Sequence, residues 1–172
     1  MKVSIYALLL STISSPFGFA WSQEVPPCLK GHTPLEIDNA RVVQLKASTP
    51  VQYHDRARVK GEIVLVYPDK TGHDHFLIKI GPQEKDTLEV VYSYEFGSLP
   101  GPHEGQMVEA CGDYITLRTP NGKPPKGGGA NSDAIIHWVH AADPGTTHEG
   151  GYLVMDGVLC GQTVPPGGHH FE

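Results

Sequence analysis

Side chains that could do chemistry concentrate between Ile135 and Tyr152 of this sequence. Around one Pro-Gly turn, this stretch holds His137, Trp138, His140, Asp143, His148 and Glu149. An imidazole titrates near neutral pH, so a histidine beside a carboxylate can act as a general base, and its neutral form can bind a metal ion. Any binding or catalysis is therefore expected in this segment, although the spacing specifies no reaction, cofactor or ligand.

A second pair of histidines, His73 and His75, lies two residues apart at the start of a strand-like run. Residues i and i+2 of a strand share one face, so this pair has a chelating geometry for zinc or copper. His137 and His140 face opposite sides of a continuous strand and can meet only if that strand ends near Val139. The candidate ligands of a divalent transition metal are therefore His73, His75, His137, His140 and His148.

Three interpretations of these histidines stay open. In the first, they pack and hydrogen-bond with Trp138 at strand ends while Asp143 stabilises a turn. In the second they bind a metal ion, and in the third they form a catalytic or ligand-binding cluster. Neither Ser93 nor Ser132 has the sequence context of a serine nucleophile, and Gly127-Gly128-Gly129 lacks the Lys-Ser or Lys-Thr of a phosphate loop. These absences favour a protein that is not an enzyme.

The first twenty residues have the pattern of a secretory signal peptide. Lys2 precedes an apolar run from Val3 to Leu10, and the small residues Gly18 and Ala20 suit cleavage after Ala20. The apolar run is too short and too interrupted to cross about 30 Å of hydrocarbon as a stable helix. We therefore expect a periplasmic or secreted protein with no membrane span after signal removal.

The charge of the chain limits its partners. The sequence has 13 basic and 19 acidic residues, which gives a formal net charge of −6. Binding to phosphate backbones or anionic membranes needs a basic face, and the sequence shows none. Nucleic acid is therefore not an expected partner, whereas a small ligand or another envelope protein is.

Three cysteines remain after signal removal: Cys28, Cys111 and Cys160. In an oxidising compartment an odd number indicates one disulfide and one spare thiol. Cys111 and Cys160 each lie in a strand-like run just before a glycine, so we predict a disulfide between these two. Sequence alone leaves the other pairings open.

Alternation of apolar and polar side chains begins near Arg56 and recurs in short runs as far as Cys160. This period of two predicts strands separated by Gly- and Pro-rich turns. Gly61, inside the long first strand, favours a bulge or a sharp coil. The pattern predicts an all-β fold, a small OB-like antiparallel β-barrel.

Four segments follow from this pattern: a signal peptide at 1–20, an N-terminal extension at 21–55, the OB-like barrel at 56–164 and a disordered tail at 165–172. The extension is expected to be extended or to contain a short helix from Thr33 to Val43, with Pro34 at the first helical position. The Gly- and Pro-rich stretch Thr119–Ser132 predicts a flexible excursion between strands.

Several short motifs occur together: Gly72-His73-Asp74-His75-Phe76, His137-Trp138-Val139-His140, Asp143-Pro144, His148 and Gly150-Gly151-Tyr152. From about Arg58 to Gly161 the chain resembles the exported bacterial domain-of-unknown-function family 3465 in these motifs. The resemblance implies a small OB-like β domain behind a signal peptide, and it implies no activity. The candidate ligand-binding cluster that it carries over, without an assigned role, is His75, His137, Trp138, His140, Asp143 and His148.

The sequence as a whole thus predicts an exported β-barrel module that is not an enzyme and that binds a ligand near the His-Trp-x-His segment. The alternative is a metal-binding protein or a metal-dependent hydrolase, which would use His73 or His75 together with His137, His140 or His148. No cofactor is certain, and a divalent transition metal is the candidate.

Overall fold

The computed structural model of the chain describes residues 23–117, 131–144 and 146–164. The predicted signal peptide, the predicted tail and residues 119–130 of the predicted excursion lie outside these ranges. Within the described ranges, no helix has both the length and the apolar character needed to cross a membrane.

The described residues form mostly strands, with one α-helix and one short 3-10 helix. In chain order the elements are β1 (Leu29–Lys30), β2 (Thr33–Pro34), α1 (Asn39–Ser48), β3 (His54–Val66), β4 (His73–Lys79), β5 (Thr87–Ser93), the 3-10 helix (Tyr94–Phe96), β6 (Met107–Thr116), β7 (Ala134–His137), β8 (Tyr152–Met155) and β9 (Val158–Cys160).

Five of these strands close into a barrel. Their order is β3, β4, β5, β7 and β6, and β6 pairs back with β3 to complete the circle. The pair of β5 and β7 is parallel, and the other four pairs are antiparallel. Strand β8 of the β8–β9 hairpin pairs with the N-terminal half of β6. The predicted all-β barrel is confirmed.

Strand alternation fills the barrel. Side chains such as Val59, Phe76, Tyr92 and Tyr114 point inward and are fully buried in one continuous core, while their neighbours in sequence face outward. Gly61 is needed for a close approach, because a Cβ atom there would lie 2.1 Å from the carbonyl oxygen of Lys79. The register shift of β3 against β4 occurs later, between Ile63 and Leu65.

The N-terminal extension folds against the barrel, and its helix begins later than predicted. Asp38 caps α1 by accepting a hydrogen bond from the Arg41 backbone N–H at 2.9 Å. The predicted helix from Thr33 is wrong, because Thr33 and Pro34 instead pair with Leu29 and Lys30 across a turn. Val42 of the helix is buried in the barrel core.

The predicted disulfide between Cys111 and Cys160 is also wrong. Cys111 is bonded to Cys28, and Cys160 is a buried free thiol. The reason is the alternation of the strands: Cys111 faces outward from β6 and packs with Cys28 and Tyr152, whereas Cys160 faces inward with Leu153. The barrel wall therefore separates the two thiols that the sequence pattern had paired.

The Cys28–Cys111 bond should contribute strongly to stability, because it joins residues 83 positions apart. The double variant Cys28→Ser/Cys111→Ser should lose about 2–5 kcal/mol of unfolding free energy. Urea denaturation with and without reductant measures this loss. Cys160→Ala is the matched control and should keep the full sensitivity to reductant. A Cys111–Cys160 peptide in a non-reducing digest would contradict the pairing.

Candidate functional site

The histidines predicted to do chemistry gather on the outer face of β4 and β7. His73 and His75 alternate with inward-facing Phe76 and Ile78 of β4 and so point away from the core. On the neighbouring strand β5, the residue paired with His75 is Val91. Because β7 runs parallel to β5, with Ile136 next to Val90 and facing inward, His137 faces outward as the last residue of β7. One outer face therefore carries imidazoles from two segments that are distant in sequence.

Ring contacts join these side chains. The ring centroids of His73 and His75 are 6.2 Å apart, and those of His73 and His137 are 6.1 Å apart. His73, at the start of β4, is thus the neighbour that the other two share.

The chain leaves the sheet directly after His137, and this exit brings in the remaining aromatic rings. Trp138 has a φ of 50°, and the strand ends at His137, before the Val139 position near which it had to end for His137 and His140 to meet. The Trp138 ring lies 4.7 Å from that of His137 and stacks at 5.3 Å on that of His148. His140 in turn lies edge-on to His148 at 5.7 Å and stacks at 3.4 Å on Phe96.

We call this set the histidine–tryptophan surface; its members are His73, His75, His137, Trp138, His140 and His148. His75 and His140 are buried, and the other four side chains are partly exposed. Each member contacts at least one other ring of the set. Asp143, which was predicted to belong to the same cluster, lies outside this set of rings. It is buried in the turn, where its backbone carbonyl accepts hydrogen bonds from the N–H and hydroxyl groups of Thr146.

Glu89 is a functional candidate that sequence reasoning missed. It lies on β5 with no exposed surface, and one of its carboxylate oxygens accepts a hydrogen bond from Nδ1 of His75 at 2.9 Å. Asn131 donates to the same carboxylate from its backbone N–H at 2.7 Å and from its side-chain amide at 3.0 Å. The available signal was a lone acid within the apolar run Leu88 to Val91, where burial of a charge requires partners.

The electrostatics of Glu89 follow from these bonds. Burial alone would raise the pKa of the carboxyl group, but hydrogen bonds from His75, Asn131 and Ser132 outweigh it and hold the pKa below its usual range. Glu89 is therefore a buried carboxylate that fixes the orientation of the His75 ring.

Four histidines of the surface share one hydrogen-bonding pattern. In each of them, Nδ1 faces an oxygen that only accepts, so Nδ1 carries a proton and is the donor of the hydrogen bond. The acceptors are the Thr71 carbonyl for His73 (2.9 Å), Glu89 for His75 (2.9 Å), the Ala141 carbonyl for His140 (2.8 Å) and the Glu149 carbonyl for His148 (3.5 Å). These hydrogen bonds fix the orientation of the four rings.

His137 is held neutral by its surroundings. Burial, together with the neighbouring rings of His73, His140 and His148, lowers its pKa to about 3. A positive charge at this position would be both poorly solvated and close to other imidazoles. The ring therefore presents an uncharged nitrogen at any pH near neutrality.

Arg56 fixes the segment that carries His148. This arginine is 4% exposed and binds Asp113 at 2.7 Å, the Leu29 carbonyl at 3.1 Å and the backbone carbonyl of Gly150. Gly151 then packs tightly, since a Cβ atom there would lie 2.3 Å from the Trp138 carbonyl oxygen. A cleft of about 440 Å³ adjoins this region and is lined by Lys30, Tyr53, His54, Asp55, Arg56, Asp113, Thr147, His148 and Glu149.

The arrangement supplies hydrogen-bond acceptors, nitrogen ligands and aromatic faces. In the described part of the chain, no group of three or more His, Cys, Asp or Glu side chains has the arrangement needed to hold a metal ion as it stands. Comparison with protein-family models and with curated proteins finds no match to this chain. The site must therefore be interpreted from its own chemistry.

Stability should depend on pH through His137. Between pH 7 and pH 5 the unfolded chain protonates this histidine near its ordinary pKa of 6.5, while the folded protein, with a pKa of about 3, does not. The unfolded state therefore gains protons, and the unfolding free energy falls by on the order of 2 kcal/mol as the pH drops. His137→Gln should remove this part of the slope in urea denaturation at both pH values. His103→Gln, on an exposed loop, is the control, and an unchanged slope in His137→Gln contradicts the assignment.

Proposed function

We propose that this chain is an exported, non-enzymatic binding module whose ligand site is the histidine–tryptophan surface. The observation that carries the proposal is the continuous ring contact from His75 through His73, His137 and Trp138 to His148. Small-molecule sites combine aromatic walls with a few oriented polar groups, and this surface has both.

The topology supports the proposal. We propose that the barrel is OB-like, because its first three strands are consecutive neighbours and its fifth strand inserts beside the third. OB barrels bind ligands on the face of their second and third strands, here β4 and β5. His73, His75 and Glu89 lie on those strands. We also propose a relationship to the exported domain-of-unknown-function family 3465, on the sequence motifs that the chain shares with it.

The charges and the disulfide support an exported location and a non-nucleic-acid partner. Disulfides persist in oxidising compartments, and the Cys28–Cys111 bond suits the periplasm or the extracellular space. The imidazole and indole rings of the surface suit a small ligand better than a phosphate backbone, which requires a cluster of Lys and Arg side chains. An envelope protein whose exposed side chain suits the same rings is the alternative partner.

The proposal predicts where organic ligands bind. With chelator present to exclude metal ions, a panel of hexoses, heteroaromatic bases and short peptides should include a class that shifts the Trp138 indole N–H resonance in a saturable manner. His148→Ala should abolish the shift, because it removes the ring stacked on Trp138. His103→Ala is the control and should leave it unchanged. Shifts confined to other faces of the barrel, or none at millimolar concentrations, contradict the proposal.

A further inference from the structure

We propose that the ligand of this surface carries an uncharged planar amide whose N–H and C=O lie on the same side, a primary carboxamide or a lactam, and that this group binds to His137 and Trp138. The carbonyl oxygen accepts a hydrogen bond from the indole N–H of Trp138, and the amide N–H donates to a ring nitrogen of His137. This inference rests on the proposed function, since it names the class of ligand that the same surface binds.

His137 and Trp138 have hydrogen-bonding atoms that the fold does not use. Both side chains are partly exposed, and their ring centroids are 4.7 Å apart. Within the described residues, both rings make contacts with other rings, but no hydrogen bond reaches a ring nitrogen of His137 or the indole N–H of Trp138. The other four histidines of the surface each use Nδ1 in a hydrogen bond. Two neighbouring rings can therefore take their hydrogen-bond partners from a ligand.

The protonation state of His137 decides what the pair can bind. Burial and the neighbouring imidazoles lower its pKa to about 3, so the ring is neutral. A neutral imidazole donates from one nitrogen and accepts at the other, whereas an indole N–H only donates. A ligand that uses the indole N–H of Trp138 and the accepting nitrogen of His137 must therefore offer an acceptor and a donor close together.

This requirement selects the geometry of the amide. In a trans peptide unit the N–H and the C=O point in opposite directions, so one such unit cannot reach both rings. A primary carboxamide or a lactam has the two groups side by side in one plane. His148 already stacks on the indole of Trp138 at 5.3 Å, so a sugar ring cannot lie flat on that face. A flat amide needs only the edge of the indole, where the N–H is.

The charged groups beside His137 favour an uncharged ligand, because they are already paired. Asp113 lies opposite His137 on β6 and binds Arg56 at 2.7 Å. Glu89, on the other neighbouring strand, accepts a hydrogen bond from His75 at 2.9 Å. A charged ligand would lose its water here without gaining a free counter-ion from these residues.

The backbone that carries both rings is fixed in place. Trp138 has a φ of 50°, which residues other than glycine rarely adopt and which persists only where the surrounding structure enforces it. Two close approaches enforce it here. A Cβ atom at Gly112 would lie 2.4 Å from the His137 carbonyl oxygen, and one at Gly151 would lie 2.3 Å from the next carbonyl oxygen along the chain. Such backbone outliers cluster at ligand sites, and a fixed donor and acceptor reduce the entropy that binding costs.

Probes of similar size and shape test the class of ligand. With chelator present, the Trp138 indole N–H resonance is followed in titrations with benzamide, benzoate, benzamidine and N-methylbenzamide. Of these, only benzamide is uncharged and has N–H and C=O on one side. It should shift the resonance in a saturable manner and bind at least tenfold more tightly than the other three. Titrations with 2-pyridone, a lactam, and with propionamide, which ends like a glutamine side chain, distinguish a small lactam from a protein side chain as the source of the amide.

Substitutions that keep an aromatic ring identify the hydrogen bonds. His137→Phe removes the accepting nitrogen, and Trp138→Phe removes the indole N–H. Each should weaken benzamide binding by about tenfold, measured by ligand-observed NMR. His103→Phe, on an exposed loop, is the matched control and should bind like the parent protein. Circular dichroism checks the fold, and if a variant does not fold, the comparison of probes on the parent protein still decides the class.

The outcomes separate this inference from the proposed function. Binding of benzoate, benzamidine or N-methylbenzamide as tight as that of benzamide overturns the inference. Benzamide affinity that His137→Phe and Trp138→Phe leave unchanged also overturns it. If the amides fail while a hexose still shifts the Trp138 resonance, the inference fails and the proposed binding surface stands. If no probe of either panel binds, the proposed function fails as well.

Discussion

The parallel pairing of β5 with β7 is the contact on which the rest of the molecule depends. It places Ile135 and Ile136 beside Glu89 and Val90, residues more distant in sequence than those of any hairpin. This pairing closes the barrel between β5 and β6, and it carries His137 onto the outer face that β4 and β5 share. Without it, the two groups of histidines would lie on separate edges of an open sheet.

Strand alternation explains both what the sequence predicts well and where it fails. The apolar period of two begins near Arg56 and recurs as far as Cys160, and the strands β3 to β9 lie between His54 and Cys160. The cysteine pairing depends on which face each strand turns to the core, and this is fixed only after the strands pair. The predicted start of α1 at Thr33 was wrong for a similar reason. Thr33 pairs with another strand, and its helix-capping pattern does not reveal that pairing.

The candidate site divides in the same way. Residue types and local spacing identify the histidines and Trp138, because imidazoles and indoles are recognisable wherever they lie. In the sequence, Glu89 is only a lone acid in an apolar run, since the roles of Glu89 and Asn131 arise from a hydrogen bond between strands and from a loop 42 positions away. A buried acid becomes interpretable only when its partners are known. The chain also leaves the sheet at Trp138, where φ is positive. The β-branched residues around it favour a continuing strand and do not predict this turn.

Arg56 mechanically couples two regions that share no sequence motif. Its guanidinium binds the Leu29 carbonyl of the N-terminal extension and the Gly150 carbonyl beside the segment of His148, and it also contacts a sulfur of the disulfide at 3.4 Å. One guanidinium group therefore holds both the extension and one wall of the cleft. Trimming the extension would take the Leu29 carbonyl away from this guanidinium group, even though every strand of the barrel would still be present.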